Sequence, residues 1–149
     1  MRILGVDPGS VRVGLALSDA DGVIASPHAT LEPRGREHAA TLVADAVRAT
    51  GAERVVVGLP LRLDGDESES TRQARWLAAR IGEVAGIPVV LWDERLTSAA
   101  AERHLAGAGV PGKRRRGMVD RVAAALLLQS YLDAHAEDPC PDEHPPARA

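Results

Sequence analysis

Aromatic residues and cysteines are nearly absent from this sequence. It contains no phenylalanine, two tryptophans, one tyrosine and a single cysteine, Cys140. A lone cysteine excludes an internal disulfide and a cysteine-ligated zinc cluster, and so few rings argue against a stacking platform for several bases. No apolar run approaches the ~18 residues of a membrane span, and no signal peptide is recognisable at the start. We therefore expect a soluble protein of the cytoplasm with no membrane partner.

The chain also lacks a strong excess of one charge, since its net charge is −3. Acids gather near the end, from residue 137 to residue 143, whereas Lys113 to Arg116 form an uninterrupted cationic run. A basic surface is the usual requirement for contact with phosphates. The overall balance leaves the partner open, and the scarcity of aromatic rings favours phosphate contacts over base stacking.

Three extended segments open the chain and should pair as an antiparallel meander. Ile3 to Asp7 is an apolar strand followed by Pro8-Gly9, the pair that suits the middle of a type II turn. From Val11 to Ser18 apolar residues alternate with small or polar ones, which predicts a strand buried on one face. Asp21-Gly22 marks a second hairpin, and a third strand follows from about Val23 to Leu31.

The rest of the chain alternates helices with strands. The first predicted helix covers Ala39 to Val47 and is stopped by Gly51, and a strand buried on both faces follows over Arg54 to Leu59. The next helix is opened by a capping box at Ser70 to Gln73 and stopped by Gly86, and a strand follows over Pro88 to Trp92. The remaining predicted elements are a helix over Thr97 to Ala106, a loop over Gly107 to Gly117 and a helix over Met118 to His135. This order predicts an α/β domain over residues 1–135, with a mixed five-stranded sheet and helices on both faces, similar to the ribonuclease H-like fold. Residues 136–149 should be a disordered tail.

Three acidic positions could together form a metal site, although each has an ordinary structural explanation. Asp7 ends the first strand beside a turn, where aspartate often satisfies backbone donors. Asp93 and Glu94 follow a buried strand at its carboxyl end, where open α/β sheets bind ligands. Adjacent residues of a strand face opposite ways, so only one of these two can reach the site. The other is expected to cap the next helix or to pair with Arg95.

Asp120 lies in the first turn of the last predicted helix, at the edge of its apolar face. An acid there could simply complement the helix dipole. The small residues Ala123 and Ala124 favour a second role, because they let the helix approach the sheet and bring Asp120 toward Asp7. Cleavage of a phosphodiester by two metal ions needs several converging carboxylates, and these acids together predict such a site.

The cationic run immediately precedes this helix on a predicted loop flanked by glycines. A solvated charged loop is the ordinary interpretation of such a run. Its closeness to Asp120 favours a role in holding substrate phosphates. The residues concerned are Lys113, Arg114, Arg115 and Arg116.

Four stretches of the sequence resemble the YqgF family of pre-16S rRNA nucleases, also described as RuvX-type Holliday junction resolvase homologues. They are Gly5 to Asp19, Val57 to Leu61 with Asp64-Gly65, Asp93 to Thr97, and Asp120 before Val122-Ala123-Ala124 with Leu128-Gln129. They occur in the family's order and spacing, and the resemblance covers about Met1 to Leu132. The first stretch alone would be less specific, because actin-like ATPases and sugar kinases begin with a similar strand, turn and strand.

The resemblance implies a ribonuclease H-like nuclease dependent on Mg²⁺ or Mn²⁺, with Asp7, Glu94 and Asp120 as catalytic metal ligands. It also implies that Ser10 and Arg12 support the first loop. We expect Gly9, Asp93 and Arg95 to support the site as well, and Arg12 to contact nucleic acid with the cationic run. The family is associated with trimming the 5′ end of precursor 16S rRNA. The alternatives are cutting of four-way DNA junctions as a homodimer and binding of RNA without catalysis. An actin-like phosphotransferase is disfavoured, because that architecture needs two such domains.

Overall fold

The computed structural model describes residues 1–9, 11–61, 67–93 and 112–135, with side chains in the last range described from residue 119 onward. The elements are β1 (Ile3–Pro8), β2 (Val13–Ser18), β3 (Ala25–Leu31), α1 (Arg36–Thr50), β4 (Arg54–Leu59), α2 (Glu69–Ala85), β5 (Val89–Asp93) and α3 (Gly112–Ala134). None of the helices in these ranges is long and apolar enough to cross a membrane. The helix predicted over Thr97 to Ala106 and the tail predicted over 136–149 lie outside the described residues.

The five strands form one sheet in the order β3-β2-β1-β4-β5. β2 pairs antiparallel with both β1 and β3, whereas β4 pairs parallel with both β1 and β5. Gly22, with a φ of 69°, makes the predicted hairpin between β2 and β3. The sheet is therefore the predicted mixed sheet, a meander followed by parallel strands that are joined through helices.

Helices cover both faces of the sheet. Leu4 and Val6 of β1 point into an apolar core shared with α1 and α2. Ile3 and Gly5 point to the other face, where α3 packs. β4 lies between the two layers with all of its residues buried, as its β-branched run predicted. The carboxyl end of β1 thus lies under α3, and this arrangement positions the site.

The prediction that β2 has one solvated face is wrong. Gly14, Ala16 and Ser18 are as buried as the apolar residues with which they alternate. Two of the three are small enough for α3 to lie directly on them. Ser18 is only 2% exposed, and its hydroxyl oxygen accepts a hydrogen bond from the Ile3 N–H at 2.8 Å. The alternation of small and large residues in β2 therefore reflects close packing of a helix on the face with the small residues, and not exposure of that face to solvent.

The predicted type II turn at Pro8-Gly9 is also wrong. Pro8 still pairs with Val13 across the hairpin, and the Gly9 N–H donates to the Arg12 carbonyl at 2.9 Å. The chain therefore reverses just beyond Gly9. Gly9 does not have a positive φ. Glycine is required at position 9 because the backbone of Arg12 lies so close. A Cβ on Gly9 would be 2.5 Å from the Arg12 carbonyl oxygen.

Two helix starts differ from their predictions. α2 is capped by Ser68, two residues before the predicted Ser70, with Thr71 as the reciprocal capping-box residue. α3 begins at Gly112, so all of the described residues of the predicted loop, 112–117, are helical. Lysine and arginine favour helices enough to offset two flanking glycines. The predicted stops at Gly51 and Gly86 are confirmed, because both have the left-handed conformation.

Replacing Thr71 with valine should lower the free energy of unfolding by about 1–3 kcal/mol, because two half-buried backbone partners lose their hydrogen bonds. The fully buried Thr71 hydroxyl donates to the Pro60 carbonyl and accepts from the Ser68 N–H, which joins α2 to the end of β4. Urea denaturation measures the change. As a control, Thr41→Val on the exposed side of α1 should stay within about 0.5 kcal/mol of the wild type.

Candidate active site

Asp7 and Asp120 approach each other across a single glycine. Asp7 is directly opposite Gly14 in the pairing of β1 with β2, so the two residues project to the same face of the sheet. A Cβ built on Gly14 would lie only 1.9 Å from the backbone oxygen of Asp120. The N-terminal half of α3 therefore lies against the sheet beside Asp7, at backbone contact.

Glycines of the sheet make this approach possible. Gly5 lies two residues before Asp7 on the same face, and a Cβ there would lie 2.9 Å from the Leu128 Cβ. Ala124 and Leu128, which follow Asp120 on the same side of α3, are fully buried. The expected approach of the helix is therefore confirmed, and the small residues of the sheet contribute to it as much as the alanines of the helix.

Arg12 places a positive charge beside Asp120. It lies at the end of the loop between β1 and β2, and its Nε donates a hydrogen bond of 2.8 Å to Oδ2 of Asp120. The exposed fractions of the two side chains are 29% and 24%. The pair is only partly screened by water, so its mutual attraction exceeds that of a fully exposed pair. Arg12 thus reaches from the strand layer to the helix that carries Asp120.

Asp93 lies on the other face of the sheet. In β5, Val90 and Trp92 pack against α3, whereas Val89 and Leu91 pack toward α1 and α2. Alternation along the strand therefore directs the exposed Asp93 away from the face shared by Asp7 and Asp120.

Trp92 fixes the end of β5 to α3. Its ring N–H donates to the Ser130 hydroxyl at 3.2 Å, and its ring meets the Tyr131 ring edge-to-face with centroids 5.3 Å apart. The strand that leads to the Asp93-Glu94 pair is therefore anchored to the same helix as Asp120.

Several other residues expected at the site lie wholly or partly outside the described part of the chain. Ser10, Glu94 and Arg95 lie outside the described residues. Lys113 to Arg116 were predicted on a loop, and that prediction is wrong, because their backbone forms the start of α3; their side chains are not among those described. In the described part of the chain no three His, Cys, Asp or Glu residues form a group that could hold a metal ion. Asp7 and Asp120 supply two carboxylates of the kind that Mg²⁺ and Mn²⁺ prefer.

A cavity of about 730 Å³ opens on the opposite face of the sheet, between the first turns of α1 and α2. Pro8, Gly9 and Val11 line it, so it borders the same loop that carries Arg12. Sequence reasoning missed this cavity, because its walls come from four separate stretches with no shared motif.

Two acids lie beside that cavity on the α2 side. The hydrogen bond from Arg75 lowers the pKa of Glu67, and that from Arg72 lowers the pKa of Glu69. Both acids are thus engaged in surface ion pairs with arginines of α2.

Solved structures with this fold identify the class of domain. Thermus thermophilus RuvC, solved in complex with a Holliday junction substrate, superposes with a TM-score of 0.59 at 17% identity, over 93% of this chain and 97% of that one. The fowlpox virus Holliday junction resolvase gives 0.54 at 13% identity, over 90% and 99%. The sheet order and the helices on both faces are those of a ribonuclease H-like domain, with Asp7 and Asp120 at one end of its sheet.

Sequence comparison gives the family. The family model described as "RuvX: Holliday junction resolvase" matches residues 1–134. A relative from Syntrophus aciditrophicus is 43% identical over 96% of this chain and 95% of its own, and one from Anaeromyxobacter dehalogenans is 45% identical over 91% and 99%. Both carry the name "Putative pre-16S rRNA nuclease". The chain belongs to the RuvX family, as its motifs indicated.

Proposed function

We propose that this protein is a cytoplasmic nuclease that hydrolyses phosphodiester bonds, with Asp7, Glu94 and Asp120 as the ligands of divalent cations. The observation that carries the proposal is the juxtaposition of Asp7 and Asp120 across Gly14, in a chain of this family. The third ligand is assigned to Glu94 and not to Asp93, because Asp93 lies on the face that Asp7 does not share.

Carboxylate oxygens suit Mg²⁺ and Mn²⁺, and ions bound there would activate water and stabilise charge on the phosphate. The protein contributes rigidity. Asp7 is held by strand pairing on one side, and Asp120 is held by a helix in backbone contact with the sheet. Ligands fixed in this way keep the geometry that in-line displacement requires.

Nucleic acid would be held through its phosphates, by Arg12 and by the cationic first turns of α3. Phosphate contacts set the position of a nucleic acid without reading its bases. The scarcity of aromatic residues in this chain agrees with binding through phosphates. Because the net charge is negative, we expect this binding to use a local cationic patch. Binding should therefore depend steeply on salt.

Replacing the charged residues of the cationic run should make binding depend less steeply on salt. With duplex DNA, the slope of log K against log salt should become shallower by about 0.9 for each phosphate that the variant no longer neutralises. The substitutions to glutamine are at Lys113, Arg114, Arg115 and Arg116. The control replaces four exposed arginines of α1 and α2 with glutamine, Arg48, Arg72, Arg75 and Arg80. Equal slopes for the two variants would contradict a phosphate-binding role for the start of α3.

The substrate we favour is the 5′ region of precursor 16S rRNA, because the names of the two relatives described above refer to pre-16S rRNA. The family description favours a four-way DNA junction as the second candidate. The test is a side-by-side cleavage assay on both substrates with Mg²⁺, with Mn²⁺ and with EDTA, while light scattering measures whether the protein is a dimer. We expect cleavage of the RNA that EDTA abolishes. Metal-independent binding of RNA without cleavage of either substrate would overturn the nuclease in favour of an RNA-binding factor.

A further inference from the structure

The Arg12–Asp120 pair gives the proposed metal site an internal cation. The guanidinium Nε lies 2.8 Å from Oδ2 of Asp120, a carboxylate that the proposed function assigns to a divalent cation. The pair is formed between residues 108 positions apart. Both side chains are more than two-thirds buried, so water screens them weakly.

Arg12 and a divalent cation must compete for this carboxylate. An arginine cannot lose its proton in a protein, so the guanidinium keeps its charge and repels a second cation beside it. Movement of the Arg12 side chain away from Asp120 relieves this repulsion and frees Oδ2 for the cation. Movement is feasible, because Arg12 lies on a loop, is 29% exposed and contacts Asp120 through Nε. Its backbone can stay in place, held by the hydrogen bond from the Gly9 N–H.

A phosphate of the substrate is the natural destination for the displaced side chain. The planar guanidinium matches the oxygens of a phosphate in a bidentate fork, which is stronger and more specific than a single hydrogen bond. The loop that carries Arg12 starts directly after Asp7 and Pro8, so a nucleic acid positioned for cleavage at Asp7 passes within reach of it.

We infer that Arg12 is a placeholder that neutralises Asp120 until substrate and metal arrive together. This inference rests on the proposed function. Metal alone binds weakly, because it must displace Arg12 without a new partner for it. A phosphate that engages Arg12 frees the carboxylate, and metal then binds more tightly. Because coupling between two ligands is reciprocal, metal should raise the affinity for nucleic acid by the same factor.

The test measures Mn²⁺ binding to the whole chain without nucleic acid, by electron paramagnetic resonance of free Mn²⁺. Arg12→Gln and Arg12→Met should both bind Mn²⁺ about tenfold more tightly than the wild type, because the competing charge is gone. Arg121→Gln is the matched control, since it removes the same charge from the next residue along α3. It should change the affinity less than about threefold. Circular dichroism checks that each variant folds.

A second measurement follows the coupling itself. Fluorescence anisotropy gives the affinity for a labelled four-way junction in EDTA and in Ca²⁺, used as a cation that supports binding without cleavage. For the wild type, Ca²⁺ should raise this affinity about tenfold, within the usual range of coupling. For Arg12→Gln the ratio should approach one.

The outcomes separate the two proposals. If Asp7→Asn leaves Mn²⁺ affinity unchanged, the metal site and the proposed function are both wrong. If Asp7→Asn weakens Mn²⁺ binding while Arg12→Gln leaves it equal or weaker than in the wild type, the metal site stands. In that case Arg12 only orients Asp120, and the placeholder is overturned.

Discussion

Asp7→Asn should lower the rate of single-turnover cleavage about a thousandfold. The substitution keeps the size and hydrogen-bonding capacity of the side chain but removes the charge that holds divalent cations. Stabilisation of transition-state charge by such ions amounts to several kcal/mol, and each ~1.4 kcal/mol is a factor of ten in rate. The measurement uses Mn²⁺ with precursor 16S rRNA and with the four-way junction, at protein in excess over substrate.

The matched control is Asp45→Asn. Asp45 is exposed on α1, where it pairs with Arg48 away from the candidate site. The Asp45→Asn variant should cleave at the wild-type rate. Both Asp45→Asn and Asp7→Asn should have melting temperatures near that of the wild type. A fully active Asp7→Asn variant would remove Asp7 from the chemistry and leave it as the turn residue that its place before Pro8 first suggests.

Gly14→Ala should be strongly destabilising, although it adds only one methyl group to the sheet. The new Cβ would lie 1.9 Å from the Asp120 oxygen and 2.3 Å from its carbonyl carbon. Neither is a flexible side-chain end, so β2 or α3 must shift. Overpacking typically costs 1–3 kcal/mol, and a clash with the backbone of α3, which yields less than a side chain, should bring this variant to about 3 kcal/mol. Urea denaturation measures this destabilisation, and cleavage should fall as well, because Asp120 moves away from Asp7.

Gly82→Ala tests whether this effect is specific to the close approach of α3. Gly82 lies inside α2, and its Cβ would meet a Val89 methyl group at an ordinary 3.6 Å. Alanine there should raise the free energy of unfolding by about 0.5–1 kcal/mol, because glycine is the weaker helix former. Gly5→Ala, with its nearest neighbouring atom at 2.9 Å, should lie between the two. A Gly14→Ala variant as stable as Gly82→Ala would mean that α3 does not lie on Gly14.

The fold was predictable because its signals are local. Alternation and turn residues define β1 to β3, a run of three valines marks β4 as a central strand, and glycines at 51 and 86 end two helices. Helix starts were less predictable, since Ser68 and Ser70 are both chemically able to cap α2. What distinguishes them is the tertiary bond from Thr71 to Pro60. No pattern of neighbouring residues carries that information.

The sequence predicted which acids belong to the candidate site, but it did not predict the contacts that they make. Strand ends and helix faces singled out Asp7 and Asp120, and small residues on α3 indicated a close approach. The pairing of Arg12 with Asp120 depends on how the first hairpin meets the last helix, a separation of 108 residues. Gly14 looked like an ordinary small residue of a half-exposed strand. Its importance follows only from the helix above it.

The distance in sequence between the two halves of the site has a consequence during protein synthesis. Asp7 leaves the ribosome well before Asp120, which can join it only after α3 has followed, so the two carboxylates stay apart until that helix has been made. Contacts of such long sequence separation also form late in folding, because closing the loop between them is slow. A nascent chain without α3 therefore lacks one half of the proposed site, and the site is assembled only once that helix has been made.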